Sequence, residues 1–350
     1  MKNVKKFVAL IATGVIMSTM LVGCGSKPSN EVLNVYNVGD YIDEDLIDKF
    51  EEETGIKVVY ETFETNEIMY QKVKSGGSKY DVIVPSDYMI SKMINEGLIQ
   101  KIDFNNIPNF KNIDESFLNQ AYDVTNEYSV PYFWGTFGIL YNKTMVNEPV
   151  DSWDILWDEK YKENILMLDS VRDTMGIALM KLGYSLNTTN EKELDEAKEL
   201  LIKQRPLLLA YANDDGKDRL LGEEAAMGIV YSGDAITLME ENENLAYALP
   251  TAGTNKWIDA FCIPTDAENK DYAEQFINFM LDPENAKINV DYIGYSTPNT
   301  AAIELLGDAY KNSPIMNPSK EVLDNSEVFV NLPQDVLKLY DDAWIQIKSE

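Results

Sequence analysis

The sequence predicts an α/β protein in which strands and helices alternate along the chain. Apolar stretches rich in β-branched residues recur between segments whose apolar residues have helical spacing. Strand and helix alternate three times over residues 32–97, which indicates right-handed βαβ units and a parallel sheet. The same alternation returns over residues 164–283 without a long linker. The chain is long enough to bury the cores of two such domains.

The individual elements follow from apolar spacing and from Gly, Pro, Asp and Asn at their ends. Strands are predicted at 32–38, 56–62, 80–84, 164–168, 207–211, 226–231, 246–249 and 258–263. Helices are predicted at 42–54, 65–76, 87–97, 175–183, 190–201, 272–283 and 332–347.

The N-terminal segment predicts export. Three lysines precede an apolar run at 7–17, which is long enough for a signal sequence but too short for a spanning helix. A Leu-Val-Gly-Cys sequence ending at Cys24 resembles the lipobox of bacterial lipoproteins. We expect a signal peptide at 1–23, an acylated tether at 24–30 and a lipid-anchored protein outside the cytoplasm, at the cell surface or the periplasmic face. The alternative is an ordinary secretory peptide with a chance cysteine.

The composition excludes several classes of function. The net charge of −29 argues against nucleic acid as a partner and is compatible with a cationic ligand. The chain has no histidine, which removes histidine-based catalysis and zinc sites that need imidazole. Neither a phosphate-binding loop nor a dinucleotide fingerprint occurs, so no cofactor is expected. An enzyme that works with two carboxylates stays open.

The predicted strand-to-helix turns combine carboxylates with aromatic rings. Ligands of open parallel sheets bind beyond the carboxyl ends of the strands. A carboxylate compensates a desolvated ammonium group, and a ring adds roughly 0.5–2 kcal/mol of cation–π attraction. The turns therefore predict a slot for a flexible chain that bears two or three amines. The candidate ligand residues are Asp40, Tyr41, Ser86, Tyr88, Asp173, Tyr231, Asp234, Trp257, Asp259 and Tyr295.

Some residues at these turns have a purely structural alternative. Asp40, Asp87 and Asp234 precede predicted helices, where Asp is a favoured N-cap. Trp134 is also typical of core or hinge packing, and Tyr295, close to a proline, is compatible with closing a turn.

Several stretches also carry a family resemblance. They are Tyr36-Asn37, Asp40-Tyr41, residues 53–58, Tyr80-Asp81, Val84-Pro85-Ser86, Trp134-Gly135, residues 181–184, Trp257 with Asp259, and residues 293–299. From about Leu33 to the C-terminal helix, the chain resembles the spermidine/putrescine-binding proteins of bacterial ABC transporters. The resemblance implies a two-lobed α/β fold of the type II periplasmic-binding-protein class, with the ligand in the interlobe cleft. It also implies a non-enzymatic receptor that delivers a polyamine to ABC permease subunits.

The resemblance assigns roles and lobe boundaries. It implies that Asp259 pairs with a charged amine, that Asp173 holds a terminal amine, and that Trp257 and the tyrosines enclose the methylene chain. Asp40 and Asp234 match acidic positions of the putrescine-preferring branch. Lobe 1 is expected at 31–139 plus about 259–303, and lobe 2 at 140–258 plus about 304–350.

Four departures from the family pattern leave the choice between spermidine and putrescine open. They are Val38, Gly39, Ser170 and Tyr231. Two other functions remain as alternatives: a binding protein for another small cationic solute, and a carboxylate-based extracytoplasmic hydrolase.

Overall fold

The computed structural model describes residues 31–39, 41–77 and 79–349. The predicted signal peptide, Cys24 with its tether, and the candidate ligand residue Asp40 lie outside these residues. In the described ranges, no helix is both long and apolar enough to cross a membrane.

The strands of the described residues form one mixed sheet. They are β1 Val32–Val38, β2 Lys57–Phe63, β3 Val82–Ile83, β4 Ser129–Asn142, β5 Ile165–Leu168, β6 Leu208–Ala212, β7 Met227–Tyr231, β8 Leu245–Ala248 and β9 Lys256–Cys262. Their order is β2-β1-β3-β9-β4-β7-β5-β6, and β8 pairs with the second part of β4 on the edge opposite β7. The pairs β1–β2, β1–β3, β5–β6 and β5–β7 are parallel, as the βαβ pattern predicts.

Strand β4 joins two halves of the sheet. Its first part pairs antiparallel with β9 from Ser129 to Thr136, and its second part pairs with β7 from Phe137 to Tyr141. The sequence analysis did not predict this strand. Nearly every residue of β4 is buried, so the strand lacks the alternation of apolar and polar residues that marks a half-exposed strand.

Helices cover both faces of the sheet. The α-helices of the described residues are α1 Glu44–Thr54, α2 Asn66–Ser75, α3 Asp87–Asn95, α4 Val171–Lys181, α5 Glu191–Gln204, α6 Asp214–Leu221, α7 Ser232–Glu241, α8 Lys270–Met280, α9 Pro283–Ile293, α10 Thr300–Leu306, α11 Asp308–Lys311, α12 Lys320–Asp324 and α13 Gln334–Ser349. Every helix predicted from the sequence is present, with ends that differ by a few residues.

Most helix ends follow their sequence signals. Gly55 ends α1 in the left-handed conformation at φ 77°, where a side chain would be strained. The N-cap interpretation is wrong for two aspartates. Ser86 is the N-cap of α3 and Asp87 is its first residue, whereas Tyr231 is the N-cap of α7 and Asp234 is its third residue. Both carboxylates are therefore available for other partners.

The two halves of the sheet have separate cores. Phe133 of β4 packs in the core around β1, β3 and β9, and Phe137 of the same strand packs in the core around β5 and β7. The chain has returned to the first core by Ile258, and it passes to the second core again at Val328 and Phe329. Helix α13 then covers α4 and α5 with Trp344 and its apolar neighbours. The cleft between the two cores is the natural place for a ligand.

Candidate functional site

A cavity of about 1210 Å³ lies between the two halves of the sheet. Its wall includes every candidate ligand residue that the structure describes: Tyr41, Ser86, Tyr88, Asp173, Tyr231, Asp234, Trp257, Asp259 and Tyr295. The cavity opens at the carboxyl ends of the strands. Val38 ends β1, Tyr231 ends β7, and both residues line the cavity. The candidate residues therefore converge on one cavity. The prediction of a strand-to-helix turn is wrong for Trp257 and Asp259, which lie within β9, and for Tyr295, which follows α9.

Asp259 contributes a carboxylate from strand β9 in the first half of the sheet. The Tyr41 hydroxyl donates to Asp259 Oδ2 at 2.6 Å, and the Ser86 and Asp259 backbones form a β-bridge. Burial raises the pKa of the Asp259 carboxyl, and the hydrogen bonds from Ser86 and Tyr41 oppose this effect. Within the described residues, the hydrogen-bond donors that stabilise the ionised carboxylate are neutral, which favours binding of a cation from the cavity.

Asp173 contributes a second carboxylate from the first turn of α4, on the other half of the sheet. The Ser170 hydroxyl donates to Asp173 Oδ2 at 2.5 Å, and the Tyr231 hydroxyl donates to the same oxygen at 3.0 Å. Burial raises the pKa of Asp173, although both hydroxyl groups and the nearby charge of Arg172 lower it. Ser170 and Tyr231, two of the departures from the family pattern, thereby organise this carboxylate.

Aromatic rings line the cavity between these carboxylates. The ring centroids of Trp257 and Tyr295 are 5.2 Å apart with an interplanar angle of 86°. Two glycines leave space for the rings, since a Cβ at Gly135 would overlap Trp257 and a Cβ at Gly233 would overlap Tyr295. Trp134 is buried outside the cavity wall, which supports its interpretation as a core residue.

Asp87 is also on the cavity wall, but it is tied to the protein backbone. Its carboxylate accepts hydrogen bonds from the amide groups of Tyr88 at 2.6 Å and Ile258 at 3.3 Å. Burial raises its pKa well above the usual value, and the nearby charge of Asp259 adds to this effect. Asp87 thus holds the start of α3 against β9 and places Asp259 beside Ser86.

Besides Asp87, five charged residues of the wall are absent from the candidates selected from the sequence: Glu67, Lys92, Arg172, Asp214 and Lys217. Glu67 accepts a hydrogen bond from the Tyr88 hydroxyl at 2.9 Å, and Lys217 forms ion pairs with Asp214 and Asp234. Glu67 lies at the start of α2, which follows β2. Asp214 and Lys217 lie in α6, which follows β6. The β2–α2 and β6–α6 connections are strand-to-helix turns, like those from which the other candidates were selected. The position of these residues after a strand was therefore visible in the sequence.

The charges of the cavity wall favour a cationic ligand. Acidic side chains outnumber basic ones among its residues: Glu67, Asp87, Asp173, Asp214, Asp234 and Asp259 against Lys92, Arg172 and Lys217. The described residues contain no group of three or more acidic or cysteine side chains that could hold a metal ion. The arrangement suits an organic cation with an apolar stem, enclosed by rings and paired at its charged ends.

Comparison with known proteins agrees with this description. The family model of the bacterial extracellular solute-binding proteins matches residues 45–318. The spermidine/putrescine-binding periplasmic protein of Salmonella typhimurium is 37% identical over 342 residues, covering 97% of this chain and 97% of the relative. The putrescine-binding periplasmic protein SpuD of Pseudomonas aeruginosa is 37% identical over 348 residues, covering 94% and 95%.

Solved structures show the same architecture. The spermidine/putrescine ABC transporter substrate-binding protein PotD of Streptococcus pneumoniae is 44% identical with a TM-score of 0.87, covering 91% of this chain and 99% of that one. The TpPotD lipoprotein of Treponema pallidum is 30% identical with a TM-score of 0.81, covering 91% and 100%. The two-lobed α/β fold predicted from the sequence is confirmed. The chain belongs to the bacterial extracellular solute-binding proteins.

Proposed function

We propose that this protein captures a polyamine, spermidine or putrescine, outside the cytoplasm and delivers it to the permease of an ABC importer. The observation that carries the proposal is the pair Asp259 and Asp173. Each carboxylate accepts hydrogen bonds from neutral hydroxyl donors, and the two face one cavity from opposite halves of the sheet. The names of the Salmonella, Pseudomonas and Streptococcus relatives support the same ligand class.

The proposed binding site uses charge at its ends and rings between them. Asp259 and Asp173 pair with ammonium groups of the ligand, because desolvating an unpaired ammonium costs several kcal/mol. Trp257 and Tyr295 enclose the methylene groups. The full proposed site consists of Asp40, Tyr41, Ser86, Tyr88, Asp173, Tyr231, Asp234, Trp257, Asp259 and Tyr295.

The proposed mechanism is closure of two lobes on the ligand. We assign 31–139 and a second segment from about 259 to lobe 1, and 140–258 with the C-terminal segment to lobe 2. Tyr310 and Val328 pack with the core of the first half, so we place the return to lobe 2 at Phe329 rather than near residue 304. A ligand that pairs with both lobes stabilises the closed state, which the permease would recognise.

The proposed location depends on Cys24. Acylation of this cysteine would hold the receptor close to its permease at the membrane surface. The Treponema pallidum relative is named as a lipoprotein, which supports this part of the proposal. Mass spectrometry of the membrane fraction tests it: acylation of an N-terminal Cys24 is expected, and a soluble chain that begins elsewhere would contradict it.

Isothermal titration of the purified protein tests the ligand class. Spermidine and putrescine are expected to bind at one site with micromolar or tighter affinity, whereas cationic amino acids and sugars bind more weakly. The ligand is recovered unaltered, because the proposed function is binding and not catalysis. Absence of heat with both polyamines would contradict the proposal, and turnover of the bound ligand would favour the carboxylate-based hydrolase.

A further inference from the structure

Lys217 brings a cation of the protein into the cavity. The residue lies on α6 and lines the same wall as the candidate ligand residues. Its Nζ lies 2.7 Å from Asp234 Oδ1 and 3.0 Å from Asp214 Oδ1. Burial alone would lower the pKa of Lys217, but the hydrogen bonds with Asp234 and Asp214 outweigh it and raise the pKa. The side chain is therefore a protonated ammonium at neutral pH.

The inner partner of this ammonium is Asp234. The Asp214 side chain is 94% exposed, whereas the Asp234 side chain is only 22% exposed. The charge of Asp234 and that of Asp259 both raise the pKa of Tyr295, after the larger effect of burial. The Tyr295 hydroxyl thus lies within electrostatic reach of both carboxylates, so the Lys217–Asp234 pair belongs to the cavity and not to a remote surface.

Lys217 distinguishes Asp234 from Asp173 and Asp259, the other two aspartates of the proposed site that the structure describes. Asp173 and Asp259 accept hydrogen bonds from hydroxyl groups, and within the described residues neither forms an ion pair with a lysine or arginine. A carboxylate that is already neutralised attracts a ligand ammonium less, and the lysine charge repels one that approaches.

We propose that Lys217 is a specificity-determining residue whose ammonium occupies the place of a ligand ammonium at Asp234. Of the three candidate ligand aspartates that the structure describes, Asp259 and Asp173 then remain free to pair with the ligand, and the cavity favours a diamine over a triamine relative to the same cavity without this lysine. This inference rests on the proposed function, since it concerns which polyamine the same site selects.

The variant Lys217→Met tests the inference, because methionine keeps an unbranched apolar stem and removes the charge. Isothermal titration with putrescine and spermidine should show roughly a tenfold or greater gain in affinity for spermidine, the size expected for a close charge pair. Putrescine should change by less than about threefold, since two carboxylates already serve its two ammonium groups.

Two further variants provide controls. Lys92 lines the same cavity and has its ammonium over the ring of Tyr70. Lys92→Met therefore removes an equal charge that is not paired with Asp234, and it should change the ratio of the two affinities far less than Lys217→Met does. The double variant Lys217→Met/Asp234→Asn should lose the gain in spermidine affinity seen in Lys217→Met, because it lacks the Asp234 carboxylate that the single variant frees.

The outcomes separate this inference from the proposed function. Equal changes for both ligands in Lys217→Met, or a spermidine gain that survives in the double variant, would overturn the role of Lys217 while leaving polyamine binding intact. A folded wild-type protein that binds neither polyamine would overturn both proposals. Circular dichroism and thermal unfolding of each variant establish that the fold is retained.

Discussion

Asp259 and Asp234 lie on the wall of one cavity, but the surroundings of their carboxyl groups differ. Asp259 accepts a hydrogen bond from a neutral tyrosine hydroxyl, whereas Asp234 forms an ion pair with Lys217 at 2.7 Å. A desolvated carboxylate held by neutral donors gains from a cationic ligand, and a neutralised carboxylate gains little. Under the proposed function, we therefore expect two identical side chains in one site to contribute differently to binding.

The largest expected effect is the loss of the free carboxylate. Asp259→Asn preserves the shape of the side chain and removes its charge, so polyamine affinity should fall by at least about 2 kcal/mol. Asp218→Asn on the exposed side of α6 changes the net charge equally and should leave affinity unchanged. Isothermal titration measures both variants. Unchanged affinity in Asp259→Asn would place the ligand elsewhere.

A glycine beside the ring wall is expected to have the next largest effect. In Gly135→Ala, the new methyl group overlaps the Trp257 ring and the Ser232 hydroxyl, so the free energy of unfolding should fall by about 1–3 kcal/mol. Gly39→Ala is the matched control, because Gly39 lines the same cavity and has no atom near the position of a Cβ. Equal denaturation midpoints for the two variants would show that the close approach of the Trp257 ring to residue 135 does not require glycine there for stability.

Removal of one aromatic wall sharpens the comparison between charge and ring contributions. Trp257→Leu should weaken polyamine binding by roughly 0.5–2 kcal/mol, which is less than the loss in Asp259→Asn. Tyr292→Leu removes an aromatic residue that is 61% exposed on α9 and should have no effect. A larger loss in Trp257→Leu than in Asp259→Asn would reverse the proposed order of contributions.

The smallest expected effect is the dependence on pH. The pKa values of Asp259 and Asp173 are raised in the free protein, chiefly by burial, so these groups take up protons at a higher pH than ordinary aspartates. A bound cation favours the ionised form, so binding at mildly acidic pH should release protons and affinity should fall from pH 7 to pH 5. Titration in buffers of different ionisation enthalpy measures this release. Tighter binding at pH 5 than at pH 7 would contradict the expected direction of this pH dependence.

The sequence predicted the parallel half-sheets because their short strands and amphipathic helices alternate in a regular pattern. It did not predict β4, whose burial along almost its entire length removes that pattern. Asp173 could be selected by its position after a strand, whereas Asp259 lies within β9 and was selected by its place beside Trp257; both line one cavity. The pairing of Asp234 with Lys217 depends on how α6 and α7 pack against each other, and no local pattern reports that contact.

Sequence signals were also imprecise where one residue type has two roles. Asp87 is next to a helix start and was interpreted as an N-cap, but Ser86 occupies that position and Asp87 bonds to the amide of Ile258. This bond is between residues distant in sequence, so helix-end preferences alone do not indicate it. Local signals thus located the turn, and tertiary packing determined what each side chain does there.

A structure of the protein crystallised with spermidine tests the central claim most directly. The account predicts a polyamine in the cavity, with ammonium nitrogens about 2.7–3.2 Å from carboxylate oxygens of Asp259 and Asp173 and with its methylene groups against Trp257 and Tyr295. An empty cavity at saturating spermidine, or a ligand whose ammonium groups contact neither Asp259 nor Asp173, would contradict it.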